Sequence, residues 1–235
     1  MQALGVDAAG RHGWVGVVVD DGGFAGAHLA PGLADLIASA DEAAGSAGGR
    51  IAVVGVDIPI GLVDGPKRAA DAAARTFVGI RRSSVFWAPH RSAAPFTSQA
   101  EANAHLAALG MPMLSAQAFG LMGRIRETAA VAVDDDRLVE AFPEASFRQL
   151  AGADLPHAKK SAAGTIHRLA LLASADPPIV LPVDVGPAGR VPMDDLFDAA
   201  AAAWSALRHA HGCAVPLGDP DELDPVTGRR IAVWV

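Results

Sequence analysis

Four aspartates stand where their type and spacing could do chemistry. Asp7 and Asp57 each close a short apolar run, Ala3 to Asp7 and Ile51 to Asp57, and Asp195 and Asp198 lie three residues apart near the start of the longest helical pattern, Asp194 to His211. Residues three apart share a helix face, so the last two can present their carboxylates together. Four carboxylates drawn from three elements suit Mg²⁺ or Mn²⁺, which prefer oxygen ligands and retain waters, and an ion so held can activate water. A structural reading competes for part of the set. Asp194 and Asp195 also cap and complement the positive start of the helix, whereas Asp198, a turn further in, is less needed for that.

The elements that must position these acids are legible as patterns. Three strands open the chain, Ala3 to Asp7, Trp14 to Val19 and Phe24 to Leu29, separated by turn clusters too short for anything but an antiparallel meander. Pro31 precedes a helical stretch, Gly32 to Ala44, which the Gly45 to Gly49 cluster stops, and Ile51 to Asp57 reads as a buried central strand. A helical crossover returns that fourth strand parallel to one already in the sheet, most simply beside the first. Parallel neighbours about 4.8 Å apart end at one edge, which would set Asp7 and Asp57 together at the carboxyl rim. Like charges so close require a cation or a proton.

Residues from about 60 to 130 read as a mainly helical insertion between strands four and five, within a single domain spanning 1–235. Pro66 marks a helix start, and Arg68, Asp71 and Arg75 fall on one face of it, either toward an anionic ligand or as a salt-bridge row. Gln99 to Leu109 and Ser115 to Thr128 are further helices. Leu138 to Phe142 is the fifth strand, leading through Pro143 into Glu144 to Leu150, and Ser161 to Ala173 is another helix. Glu140 and Glu144 flank this strand as candidate further ligands, Glu144 equally as a first-turn helix acid. Ile231 to Val235 suggests a strand of a small terminal hairpin, and the richness in alanine reads as compositional only.

Composition bounds the partners. With 26 acidic against 19 basic residues and a net charge of −7, the chain lacks a global field for nucleic acid, so any such contact must be local. Only 5% of residues are aromatic and none is tyrosine, which disfavours an extended single-strand groove built on stacking. Basic residues gather in and after the insertion: Arg68, Arg75, Arg81, Arg82, Arg91, Lys159, Lys160 and Arg168. Separation of basic and acidic groups suits an anionic substrate bridging metal and arginines. The single cysteine, Cys213, fits a reducing cytoplasm, no apolar run approaches the roughly 20 residues that span a bilayer, and the N-terminus lacks a signal-peptide pattern. The expectation is a soluble cytoplasmic protein without membrane contact. Ser84 with His90 lacks a nucleophile elbow, and His209, His211 and Cys213 lack a fourth zinc ligand.

Taken in combination, Gly5-Val6-Asp7, Val56-Asp57-Ile58-Pro59-Ile60-Gly61-Leu62, Arg68 with Asp71, Ala74 and Arg75, Ser84-Val85-Phe86 with Ala88-Pro89, Gln117, Arg124-Ile125-Arg126-Glu127, Glu140 with Pro143-Glu144 and Phe147, Lys159-Lys160, and Asp195 with Asp198-Ala199 carry a family likeness over almost the entire chain. The chain resembles the bacterial and archaeal family of predicted RNase H-like nucleases, domain of unknown function 429. The resemblance implies an α/β RNase H-like fold, a mixed five-stranded sheet flanked by helices, which the meander-helix-strand order also suits. It implies that Asp7, Asp57 and the Asp195/Asp198 pair are metal-binding acids, the pair resembling the final helix of Holliday-junction resolvases. One departure is visible: the family usually has histidine before Pro143, where this chain has Phe142.

The expected function is a metal-dependent nuclease or phosphodiesterase acting on nucleic acid, a small phosphodiester or a nucleotide. Asp7, Asp57, Asp195 and Asp198 would hold Mg²⁺ or Mn²⁺, Glu144 would assist catalysis, and Arg68, Arg75, Arg82 and Lys160 would bind substrate. Two alternatives stand beside it. Phe142 favours a noncatalytic nucleotide- or nucleic-acid-binding module, and Asp7-Ala8-Ala9-Gly10 slightly resembles the first phosphate loop of actin-like ATPases and sugar kinases, which are phosphotransfer or ATP-hydrolysing enzymes.

Overall fold

A computed structural model describes all residues, 1–235. Strands β1 (Gln2–Ala8), β2 (Trp14–Asp20) and β3 (Gly23–Ala30) form the expected antiparallel meander, α1 (Leu33–Ser46) crosses over, and β4 (Ile51–Val56) returns parallel to β1. Between β4 and β5 (Leu138–Ala141) lie α2 (Ala69–Phe77), α3 (Gln99–Ala108), α4 (Ala116–Gly120) and α5 (Met122–Asp134). The single helix expected over Ser115 to Thr128 is thus two, with Ser115 capping the first by accepting the Ala118 N–H at 3.1 Å. Then follow α6 (Pro143–Ala151), α7 (Ala162–Ala173), α8 (Met193–Ala210), β6 (Pro216–Leu217) and β7 (Val233–Trp234).

The sheet is mixed and has seven strands in the order β3-β2-β1-β4-β5-β7-β6, not five. β7 pairs parallel to β5 and antiparallel to β6, so the terminal pair extends the main sheet. Its docking satisfies the edge of β5, which would otherwise expose unpaired backbone groups. No helix is long and apolar enough to cross a membrane.

Two apolar layers cover the sheet, and strand alternation assigns side chains to them. Leu4, Val6, Val54, Val56 and Leu138 face the layer that holds α1 and α5, while Ala3, Val53 and Val139 face that of α6, α7 and α8. By the same alternation Gly5 and Asp7 on β1, and Gly55 and Asp57 on and after β4, belong to the α8 side. Glu140 shares the parity of Leu138 and belongs to the other.

Helix α8 is buried from Leu196 to Leu207, as expected only for a helix apolar all round. Its alanines are not a compositional accident. A Cβ built on Gly5 would lie 2.0 Å from the Ala203 nitrogen and 2.1 Å from the Ala199 carbonyl oxygen, and one on Gly55 2.8 Å from the Ala202 carbonyl oxygen. The backbones of helix and sheet therefore touch where glycine on one side and alanine on the other leave room. Backbone cannot yield to a methyl group at such distances. Gly5→Ala is expected to destabilise the protein by about 3 kcal/mol or more, read by urea unfolding, although the residue reaches no ligand.

Candidate metal centre

Asp7 and Asp57 meet at the carboxyl edge because their strands run in register: Val6 pairs with Val56, and the Asp57 N–H donates to the Val6 carbonyl at 2.9 Å. Asp198, one residue before the Ala199 contact with Gly5, is brought to the same edge by α8. One carboxylate oxygen from each of Asp7, Asp57 and Asp198 falls in a group lying within 4.8 Å of one another. Asp7 and Asp198 are buried and Asp57 is partly exposed. Asp195 lines the same cleft, half-buried, but stands outside this triad. The four-acid set expected from the sequence is a triad with one neighbour.

Burial first, and then repulsion from neighbouring carboxylates, raises the pKa of each of these groups above the usual carboxylate range. For Asp7 burial is the larger cause, followed by the charges of Asp57, Asp198 and Asp195. Asp57 is raised by burial and then by Asp198, with Lys159 opposing. Asp198 is pushed up to about 6, burial again outweighing the attraction of Lys159. Lys159 donates to Asp198 Oδ2 at 2.6 Å and is the one basic group in salt-bridge contact with the triad. Three hard oxygen donors with too little positive charge among them fit a divalent cation by chemistry and by number.

The cleft above the triad has a volume of about 560 Å³, and Arg81, Ser83, Ser84, Gln117 and Lys159 give it polar walls. Phe86 and Phe142 supply apolar surface in it. Arg81 is steadied by donating to the Leu155 carbonyl at 2.9 Å.

Several residues expected at the site do other things. Arg68 is 1% exposed and cannot bind substrate. Its guanidinium donates to Asp71 at 3.0 Å, to both oxygens of Glu140 at 2.9 and 2.8 Å, and to the Gly61 carbonyl at 3.0 Å. Asp71 also accepts the Ala88 N–H and Glu140 the Ile60 N–H, both at 2.8 Å, so this buried group clamps the segments after Asp57 and around Ala88. Glu140 is consequently a clamp residue and no ligand. Glu144 lines the cleft, yet both its oxygens accept from Arg168 Nη2 at 2.7 and 2.8 Å, which leaves it a positioning residue and not a free acid or base. Arg75 donates to the Val85 carbonyl and lies 5.0 Å from the Trp87 ring centroid, bracing the segment that carries Ser83, Ser84 and Phe86. Arg82 and Lys160 are exposed beside the cleft, Lys160 lying 3.8 Å from Asp194.

The Arg124-to-Glu127 motif is also structural. Gly32 offers no capping side chain to α1, and Glu127 of α5 accepts the Leu33 N–H at 2.7 Å and the Trp14 indole N–H at 2.9 Å. Arg124 donates to the Gly13 carbonyl at 2.9 Å, holding the turn that follows Asp7. Ser84 and His90 do not pair: the hydroxyl donates to the Arg81 carbonyl, and the ring bonds Ser92 and the Asp64 carbonyl. His209 packs on Trp234 and His211 reaches Asp21, so no zinc set forms with Cys213.

The chain belongs to the family described as "Protein of unknown function (DUF429)", whose model matches residues 5–223 and thus spans the whole triad. No curated protein and no solved structure matches it.

Two outcomes are expected of the metal-free protein. Unfolded carboxyls ionise near about 4, whereas Asp198 in the fold holds its proton to about 6 and Asp7 is raised as well. In that window the folded state binds more protons, so the cluster's contribution to stability falls as pH rises. In chelator, the stability of Asp7→Asn relative to wild type should rise with pH from about pH 4 upward, measured by urea unfolding; a constant difference would show that Asp7 titrates as in the open chain. Arg68→Met, which strands Asp71 and Glu140 without a counter-charge, should cost about 3 to 5 kcal/mol by the same measurement.

Proposed function

We propose that the protein is a metal-dependent phosphodiesterase or nuclease on an RNase H-like fold. The observation that carries this reading is the convergence of Asp7, Asp57 and Asp198 in a cleft that basic and hydrogen-bonding side chains also line. The antiparallel meander followed by parallel β4 and β5 supports the fold assignment implied by the family resemblance.

Asp7, Asp57 and Asp198 would hold Mg²⁺ or Mn²⁺, with Asp195 close enough to bind through a retained water. When bound, the ion supplies an activated water and stabilises charge on the leaving oxygen. Arg81 and Lys159 neutralise the substrate phosphate, Ser83 and Gln117 orient it by hydrogen bonds, and Arg82 and Lys160 meet anionic parts that project beyond the cleft. Phe86 and Phe142 exclude water from one side. Phe142, where the family usually has histidine, can neither donate nor accept a proton, so acid–base work falls to water and the carboxylates. The net charge of −7 and the compact cleft favour a short or structured substrate over a long strand.

A panel of structured DNA, RNA and small phosphodiesters tests the reading. Cleavage should require Mg²⁺ or Mn²⁺, and Asp57→Asn should lower turnover by about a hundredfold or more while circular dichroism shows an intact fold. Arg82→Ala should instead weaken substrate binding and its salt dependence, with turnover at saturation retained. Binding without metal-dependent cleavage across the panel would replace this reading with the noncatalytic module that Phe142 favours.

A further inference from the structure

Lys159 has a place in the cluster that the acids alone do not explain. It belongs to the segment between α6 and α7, whose backbone is fixed: the Lys159 carbonyl accepts the Thr165 hydroxyl at 3.3 Å, and the Ala158 carbonyl accepts the Ser161 N–H at 3.0 Å and its hydroxyl at 2.8 Å. The same turn lies so tightly on the start of α7 that a Cβ on Gly164 would come within 2.0 Å of the Ala158 carbonyl oxygen. From this anchored position the long side chain runs into the cleft. Its ammonium meets Asp198 Oδ2 at 2.6 Å, with Asp198 only 5% exposed and the lysine side chain 37% exposed. Asp57 and Asp7 attract the same ammonium from further off.

One ammonium thus serves three carboxylates. Glu140 and Glu144 draw on their own arginines, Arg68 and Arg168, so neither competes for it. A divalent ion that takes Asp198 as a ligand, by either oxygen, binds a carboxylate whose Oδ2 Lys159 already holds, and two cations at one carboxylate repel. Lysine is suited to give way: its charge sits on a flexible four-carbon stem, and this stem is partly exposed toward the cleft, whereas the planar forks of Arg68 and Arg168 are locked by several bonds each.

Resting on the metal-binding reading of the triad, we infer that Lys159 is a resident counter-cation that competes with the divalent ion for Asp198 and is released into the cleft when the ion binds. In the metal-free protein it holds the triad together. Displaced, its ammonium faces the space where an anionic substrate enters. Lys159 is a positioning residue for the metal site.

Calorimetric titration with Mn²⁺ alone, on wild type, Lys159→Met and Lys159→Arg, tests this. Exchanging a charge-assisted bond of this kind corresponds to about tenfold in affinity, so Lys159→Met should bind Mn²⁺ about tenfold more tightly, and Lys159→Arg, whose fork holds Asp198 more firmly, should bind it no more tightly than wild type. In chelator Lys159→Met should melt below wild type, and Lys159→Met with Asp198→Asn should recover the loss, because the stranded carboxylate is gone. Wild type provides a second readout that needs no variant to fold: Mg²⁺ should abolish the slowly exchanging, hydrogen-bonded ammonium signal of Lys159 in NMR spectra. Equal Mn²⁺ affinities of wild type and Lys159→Met, or an ammonium signal that persists at saturating Mg²⁺, would overturn the inference and leave the metal site standing. Absence of Mn²⁺ binding in wild type and in Lys159→Met alike would overturn the metal reading itself, and this inference with it.

Discussion

The contact between α8 and the centre of the sheet is the constraint on which the rest of the molecule depends. Helices ordinarily pack on sheets through interleaved side chains, but here the Ala199 carbonyl and the Ala203 nitrogen occupy the space where a side chain of Gly5 would project. Such an approach requires small residues on both partners, and the alanine run from Ala199 to Ala203 supplies them along the helix. Tight packing transmits position with little slack. The carboxylate of Asp198, next to the contact point, is thereby fixed against those of Asp7 and Asp57.

Electrostatics follow from that placement. Besides half-buried Asp195, five acids approach the carboxyl edge of β1, β4 and β5, and the fold treats those five in two ways. Glu140 and Glu144 are each paired to a buried arginine, Arg68 and Arg168, in bonds that satisfy both carboxylate oxygens. Asp7, Asp57 and Asp198 have a single lysine among them, which touches Asp198 and attracts the other two from further off. Negative charge is neutralised where it holds loops in place and left in excess where it faces the cleft. Carboxylates drawn out of water with too little counter-charge are costly, and a site that keeps three together is organised around a cation or protons.

The helices between β4 and β5 contribute less to chemistry than to fixing the rim. Glu127 of α5 caps α1 and holds Trp14, Arg124 holds the turn beyond Asp7, and Arg75 of α2 braces the segment that lines the cleft. All but the Trp14–Glu127 bond join a side chain to backbone, all but the Arg75 bond cross long sequence separations, and together they tie down segments that would otherwise be free at the edge of the site.

The sequence by itself determined the meander, the parallel return of β4 and the identity of the edge acids, because strand alternation, turn residues and apolar runs are local signals. Asp7 and Asp57 were readable as neighbours since a single crossover leaves few topologies. What only the tertiary structure decided depends on partners distant in the chain. Arg68 looked like a substrate contact because its spacing with Asp71 and Arg75 is the same for an exposed face and a buried clamp; Glu140, 72 residues away, makes it a clamp. Glu144 looked free until Arg168 was placed on it. A terminal strand was readable at Ile231 to Val235, but its docking on β5, which turns a separate hairpin into an extension of the main sheet, depended on a partner distant in the chain. Lys159 was one of an adjacent pair of lysines with nothing local to separate them: the turn anchored on Gly164 sends one to Asp198 and leaves the other in solvent, a difference of side-chain direction that no pattern of residue types records.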